Sequence, residues 1–112
     1  MPTNTQNRLL PQNRRQWMVV SYDIPDDRRR AKVKRTLEGY GSRVQYSVFE
    51  CDLRPADLDE LQARLRQLIR PDQDDIRFYP LCDSCVRKVV MLGKARPHRQ
   101  VDYIVDGRRS RG

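Results

Sequence analysis

Trp17-Met18-Val19-Val20-Ser21-Tyr22-Asp23-Ile24-Pro25-Asp26-Asp27-Arg28-Arg29-Arg30 is the stretch on which the fold turns. The apolar run from Trp17 to Ile24, rich in β-branched and aromatic residues, reads as a strand that Pro25 stops. Asp26 or Asp27 is placed to cap the next helix by offering a carboxylate to free backbone amides. In that helix Val33, Leu37 and Tyr40 fall on one face, and Gly39 and Gly41 are stop signals. Trp17 and Val19 point to one side of the strand, Met18, Val20 and Tyr22 to the other, so both faces are apolar. Helices cover only one face of a two-layer sandwich, and a second copy of the chain is the economical cover for the other. A homodimer is expected.

Downstream, Arg43 to Cys51 reads as a second strand, with Val44, Tyr46 and Val48 facing one way and Gln45, Ser47 and Phe49 the other. It is long enough to bend into a hairpin of its own. A second helix begins near Pro55, with Asp57, Asp59 and Glu60 near the positive end of its dipole. Leu58, Leu61, Leu65 and Leu68 form its apolar stripe, and Pro71 ends it. Ile76–Tyr79 and Val89–Leu92 read as further strands, and Val101–Val105 as a terminal extra strand that suits an arm reaching across to a partner. The order predicts an α/β (α+β) two-layer sandwich of the ferredoxin-like kind. Residues 1–16 read as a flexible basic arm, 17–105 as the folded domain and 106–112 as a basic tail.

The net charge of +8 in 112 residues is uneven. Residues 1–16 contribute +3, residues 17–86 contribute −1, and residues 87–112 contribute +6. Within the balanced middle, Arg28, Arg29, Arg30, Lys32, Lys34 and Arg35 crowd one short helix. This pattern favours a nucleic-acid partner over a membrane, because no basic amphipathic helix with a broad apolar face is evident. No apolar run approaches the roughly 18 residues that span a bilayer, and the polar N-terminus lacks a secretion signal, so a cytoplasmic location is expected. Three cysteines, an odd count, point to reduced thiols.

Asp23 is the candidate for chemistry. A carboxylate at a strand end is held rigidly at the sheet edge, where a divalent cation can sit beside the phosphates that the neighbouring cations attract. Two copies of Asp23 would approach near the dyad if their face meets the twin subunit, and Mg²⁺ (or Mn²⁺) would relieve their repulsion. The plain alternative is a carboxylate that caps the following turn. Arg30 and Arg43 lie next to apolar anchors and suit either a phosphate or Asp23 itself. Cys82-Asp83-Ser84-Cys85 has the spacing of half a zinc site or a redox pair. Only Cys51 and His98 remain to complete four ligands. The favoured reading is a tight turn between the third and fourth strands.

Tyr22-Asp23-Ile24 with Asp26 and Arg30, then Gly41, and above all Arg43-Val44-Gln45-Tyr46-Ser47-Val48-Phe49-Glu50, resemble the CRISPR-associated protein 2 family, the small second core protein of the adaptation machinery. The resemblance covers roughly residues 17 to 105. It implies a ferredoxin-like fold with the third and fourth strands paired, and a homodimer that exchanges C-terminal strands. It further implies a Mg²⁺-dependent endonuclease acting on RNA or DNA, or else a non-catalytic scaffold for duplex DNA beside the CRISPR integrase subunit. By motif, Asp23 takes the catalytic and metal-binding position, with Tyr22, Arg30, Arg43 and Phe49 supporting it. The expected nucleic-acid contacts are Arg28, Arg29, Lys32, Lys34, Arg35, Lys94, Arg96 and Arg99.

Overall fold

The computed structural model describes residues 14–93, and residues 104–105 through their backbone pairing. The first strand, β1, runs Gln16–Asp23 and is followed by helix α1, Asp27–Glu38. Asp26 caps α1, its carboxylate accepting from the Arg29 amide at 2.8 Å, which satisfies one of the four orphan donors of the first turn. Next come β2 (Gly41–Gln45) and β3 (Val48–Leu53), then α2 (Pro55–Leu68) and β4 (Asp75–Leu81). Pro55 opens α2, and the Asp57 carboxylate takes the Arg54 amide at 3.1 Å. The sheet order is β2-β3-β1-β4, every neighbouring pair antiparallel. With two crossover helices on one face, this is the ferredoxin-like arrangement.

Alternation divides the sheet cleanly. Met18, Val20 and Tyr22 of β1 join Phe49, Cys51 and Leu53 of β3 against Val33 and Leu37 of α1 and Leu61 and Leu65 of α2. Leu58, Leu68, Ile76 and Phe78 pack against this core, as does Tyr40 beyond the end of α1. The face opposite the two long helices presents Trp17, Val19, Ser21 and Asp23 beside Leu81, Tyr79, Arg77 and Asp75, their register partners on β4.

Four sequence expectations are corrected. The stretch Arg43–Cys51 bends into the hairpin that its length allows, but it turns at Tyr46-Ser47, and a register shift between Arg43 and Gln45 leaves Val44 and Tyr46 exposed. The face assignment therefore fails past the turn, because a bulge and a reversal each reset the two-residue period. The third and fourth strands do not pair. β4 spends its pairing on β1, while the short β5 (Val90–Met91) lies parallel to β6 (Ile104–Val105). Between β4 and β5 stands a one-turn helix, α3 (Asp83–Arg87), in place of a tight turn, with Val86 buried as its anchor. Gly41 is no helix stop: it opens β2, where a Cβ would meet the Glu50 carbonyl oxygen at 2.3 Å and the Cys51 sulfur at 2.6 Å. The glycine allows the hairpin strands to close on the core.

Candidate metal and nucleic-acid site

Asp23 is the last residue of β1, exposed on the sheet face opposite the two long helices. Its frame is built from behind. The Tyr22 amide donates to the Ser47 carbonyl at 3.1 Å, tying the strand end to the hairpin turn. The Tyr22 ring is buried and packs on Phe49, centroids 6.3 Å apart. Burial pushes the Tyr22 hydroxyl above its ordinary value of 10.0, against the pull of nearby Arg43 and Lys34. Arg30 donates to the Ile24 carbonyl at 2.8 Å and to the Asp27 carboxylate, so it clamps the loop that leaves Asp23. Arg43 is exposed on β2, opposite Phe49 in the register. Neither Arg30 nor Arg43 pairs with Asp23.

Sequence reasoning missed Asp75. In the β1–β4 register it stands directly opposite Asp23, on the same face. Directly opposed residues bring their Cβ atoms to about 5 Å, and two like charges there repel. The Arg77 guanidinium, 3.1 Å from Asp75, offsets part of that charge. No local pattern reveals the juxtaposition, since it depends on which strands become neighbours. Mg²⁺ keeps several waters and binds through one or two carboxylates plus substrate phosphate. Asp23 with Asp75 across from it matches that donor set. Among the described residues no group of three or more His, Cys, Asp or Glu side chains gathers into an all-protein cage.

The basic helix is less uniform than its sequence. Arg29 donates to both oxygens of Asp74 from one edge of its guanidinium, Nε at 2.8 Å and Nη2 at 3.0 Å, and Nη2 also donates to the Gln73 side-chain oxygen at 3.0 Å. The Asp74 side chain is fully buried and also accepts the Arg70 amide at 2.9 Å. Arg29 is thus a brace between α1 and the approach to β4. Lys34 pairs with Glu38 at 2.7 Å. Arg28, Lys32 and Arg35 are exposed and enter no ion pair among the described residues. Lys32 and Arg35 line a groove of about 800 Å³ with Arg15 and Arg64, but Asp52, Asp57 and Glu60 share it. Lys94, Arg96 and Arg99 lie outside the described residues.

The brace carries a prediction. Replacing Asp74 by Ala leaves Arg29 without its bidentate partner and is expected to lower unfolding free energy by about 2–3 kcal/mol. Arg29 holds the Asp74 carboxyl below its ordinary value of 3.8. A depressed folded-state value means that the stabilisation is complete above the unfolded value, about pH 4, and drains away as pH falls through the folded one. Thermal melts between about pH 2 and 6 should show a shallower acid decline in Asp74→Asn than in the native chain.

The family described as CRISPR associated protein Cas2 matches residues 16–89. A protein of Synechocystis named CRISPR-associated endoribonuclease Cas2 3 is 53% identical over 68% of this chain and 83% of its own length. A Thermus thermophilus protein named CRISPR-associated endonuclease Cas2 2 is 52% identical over 77% of this chain and 93% of its own. Among solved structures, a chain of a partial Cas6-RT-Cas1–Cas2 complex is 35% identical, covering 63% of this chain and 78% of its own, with a TM-score of 0.58. The chain belongs to the Cas2 family of CRISPR-associated proteins. No described helix is long and apolar enough to cross a membrane.

Proposed function

We propose that this protein is a metal-dependent endonuclease of CRISPR adaptation, with the Asp23 carboxylate holding Mg²⁺ or Mn²⁺. One observation carries the reading: Asp23 is exposed at a rigid strand end, in no hydrogen bond or ion pair among the described residues, and faces a second carboxylate. A carboxylate that merely caps a turn would accept a backbone amide, as Asp26 does. The names of the relatives in Synechocystis and Thermus thermophilus support the same activity. The cation supplies Lewis acidity toward a phosphoryl oxygen. The chain supplies the carboxylates that hold it and, through Tyr22, Phe49 and Arg30, a fixed position for Asp23.

The homodimer of this proposal uses the face opposite the two long helices. Half-buried Trp17 and Val19 with exposed Tyr79 supply apolar surface there, and a twin seated on it would bring a second Asp23 near the first. The exchange of terminal strands, the arm of residues 1–16, the tail of 106–112 and a cytoplasmic location belong to the same proposal. The test is a cleavage assay on single-stranded RNA and on duplex DNA with the full chain. Chelation is expected to abolish cleavage and Mg²⁺ or Mn²⁺ to restore it. Cleavage that survives chelation overturns the reading.

A scaffold role is the second reading, favoured by the solved Cas1–Cas2 complex and by the exposed cations of α1. In it Arg28, Lys32 and Arg35, with Lys94, Arg96 and Arg99, grip the backbone of duplex DNA beside a CRISPR integrase subunit. Binding should weaken steeply with salt and ignore sequence. Changing Arg28, Lys32 and Arg35 to Gln should lower the log–log salt slope by about 1 per lost phosphate contact, as read from duplex titrations. An unchanged slope removes α1 from the DNA path.

A further inference from the structure

Away from the carboxylate end of the sheet, the described residues bring nucleophilic side chains together at α3. The sulfurs of Cys82 and Cys85 are 3.3 Å apart, both thiols are exposed, and the Ser84 hydroxyl lies 3.2 Å from the Cys82 sulfur. A bonded S–S separation is about 2.05 Å, so the two sulfurs must approach by only about 1.2 Å to join. Cys51, by contrast, is buried in the core, where burial pushes its thiol up to about 12.

We propose that Cys82 and Cys85 form a thiol–disulfide exchange site, Cys82 attacking and Cys85 resolving, with small-molecule disulfides as the substrate class. The Cys82 thiolate attacks one sulfur of the disulfide RSSR, a mixed disulfide forms, and one RS⁻ leaves and takes up a proton. Cys85 gives its proton to solvent and attacks the Cys82 sulfur, which closes the Cys82–Cys85 bond and expels the second RS⁻. Two protein thiols are oxidised, and one RSSR is reduced to two RSH.

The division of roles follows from the surroundings. Hydrogen bonds from Ser84 and from the Cys85 amide hold Cys82 down at about 7, while the neighbouring Cys82 sulfur pushes Cys85 up. The charged groups around the pair are Asp83 and Arg87 on α3, Lys88 after it, and Arg14, whose guanidinium meets Asp83 at 3.4 Å. Near neutral pH such a thiol is about half ionised, against about 1% for an ordinary one. Allowing for the weaker nucleophilicity of a more acidic thiol, Cys82 should attack about sixfold faster than an ordinary cysteine. A structural zinc would need four ligands, and no described group supplies even three.

The test uses the full reduced chain with oxidised glutathione, followed by alkylation and mass spectrometry. An internal Cys82–Cys85 disulfide should form while Cys51 stays reduced. Cys85→Ser should stall as a stable glutathione adduct on Cys82. Cys82→Ser should react at Cys85 at least about fivefold more slowly. Three results overturn the proposal: glutathione adducts without an internal disulfide in the native chain, equal rates in the two single variants, or stoichiometric zinc that protects both thiols.

Discussion

Replacing Asp23 by Asn is expected to lower phosphodiester cleavage by about 100- to 1,000-fold, the kinetic equivalent of losing a few kcal/mol of charge stabilisation at phosphorus. Asn keeps the size and the strand geometry but removes the anionic oxygen that a hard cation prefers. Asp23 is exposed and makes no contact that the core depends on, so the melting temperature should stay within a degree or two of the native value. Asp75→Asn offers a graded companion, since its carboxylate is shared with Arg77. Direct Mn²⁺ titration by electron paramagnetic resonance separates weakened metal binding from misplacement of the substrate. Native-level cleavage in Asp23→Asn would leave the scaffold role standing alone.

Phe49→Ala should produce the largest loss of stability, about 3–5 kcal/mol, from the cavity that a deleted core ring leaves. Phe49 is fully buried between β1 and the helices and cannot touch a nucleic acid. On the proposed reading its bearing on activity would run through Tyr22, whose ring packs on it and which immediately precedes Asp23. A small domain has about 5 kcal/mol or little more to lose, so the variant should be largely unfolded at 37 °C. Phe49→Leu, which roughly keeps the volume, should cost less than about 1.5 kcal/mol and retain cleavage per folded molecule. Urea unfolding gives the stability, and cleavage measured at low temperature gives the activity. A Phe49→Leu chain that is fully stable yet inactive would give the ring a part in the site itself.

The central strand and both long helices were legible because each carries a strong local period. The β1 residues alternate, Val33 and Leu37 mark one face of α1, and Leu58, Leu61, Leu65 and Leu68 mark one face of α2. The hairpin turn was harder to place, because Tyr46-Ser47 contains none of the Gly, Asn or Pro signals that usually announce a reversal. α3 is a single turn, too short to show a period. Asp23 was legible through its place at a strand end before Pro25, and Tyr22, Arg30 and Phe49 through family resemblance. What they do was not, for Arg30 holds a loop and Phe49 fills a core. The partners that matter most are remote in sequence. Asp75 meets Asp23, and Asp74 meets Arg29, only after β4 docks beside β1. A run such as Arg28-Arg29-Arg30 looks uniform until folding gives each member a different neighbour.

The apolar patch of Trp17, Val19 and Tyr79 and the carboxylate of Asp23 occupy one side of one sheet. On the proposed reading, selection could not tune them apart. A twin that settles on Tyr79 would also close over the end of β1, so a single position would answer to two demands. Lineages that alter their assembly would have to re-tune their chemistry in the same step, and drift on this side of the sheet should be slower than on the outer surfaces of the helices.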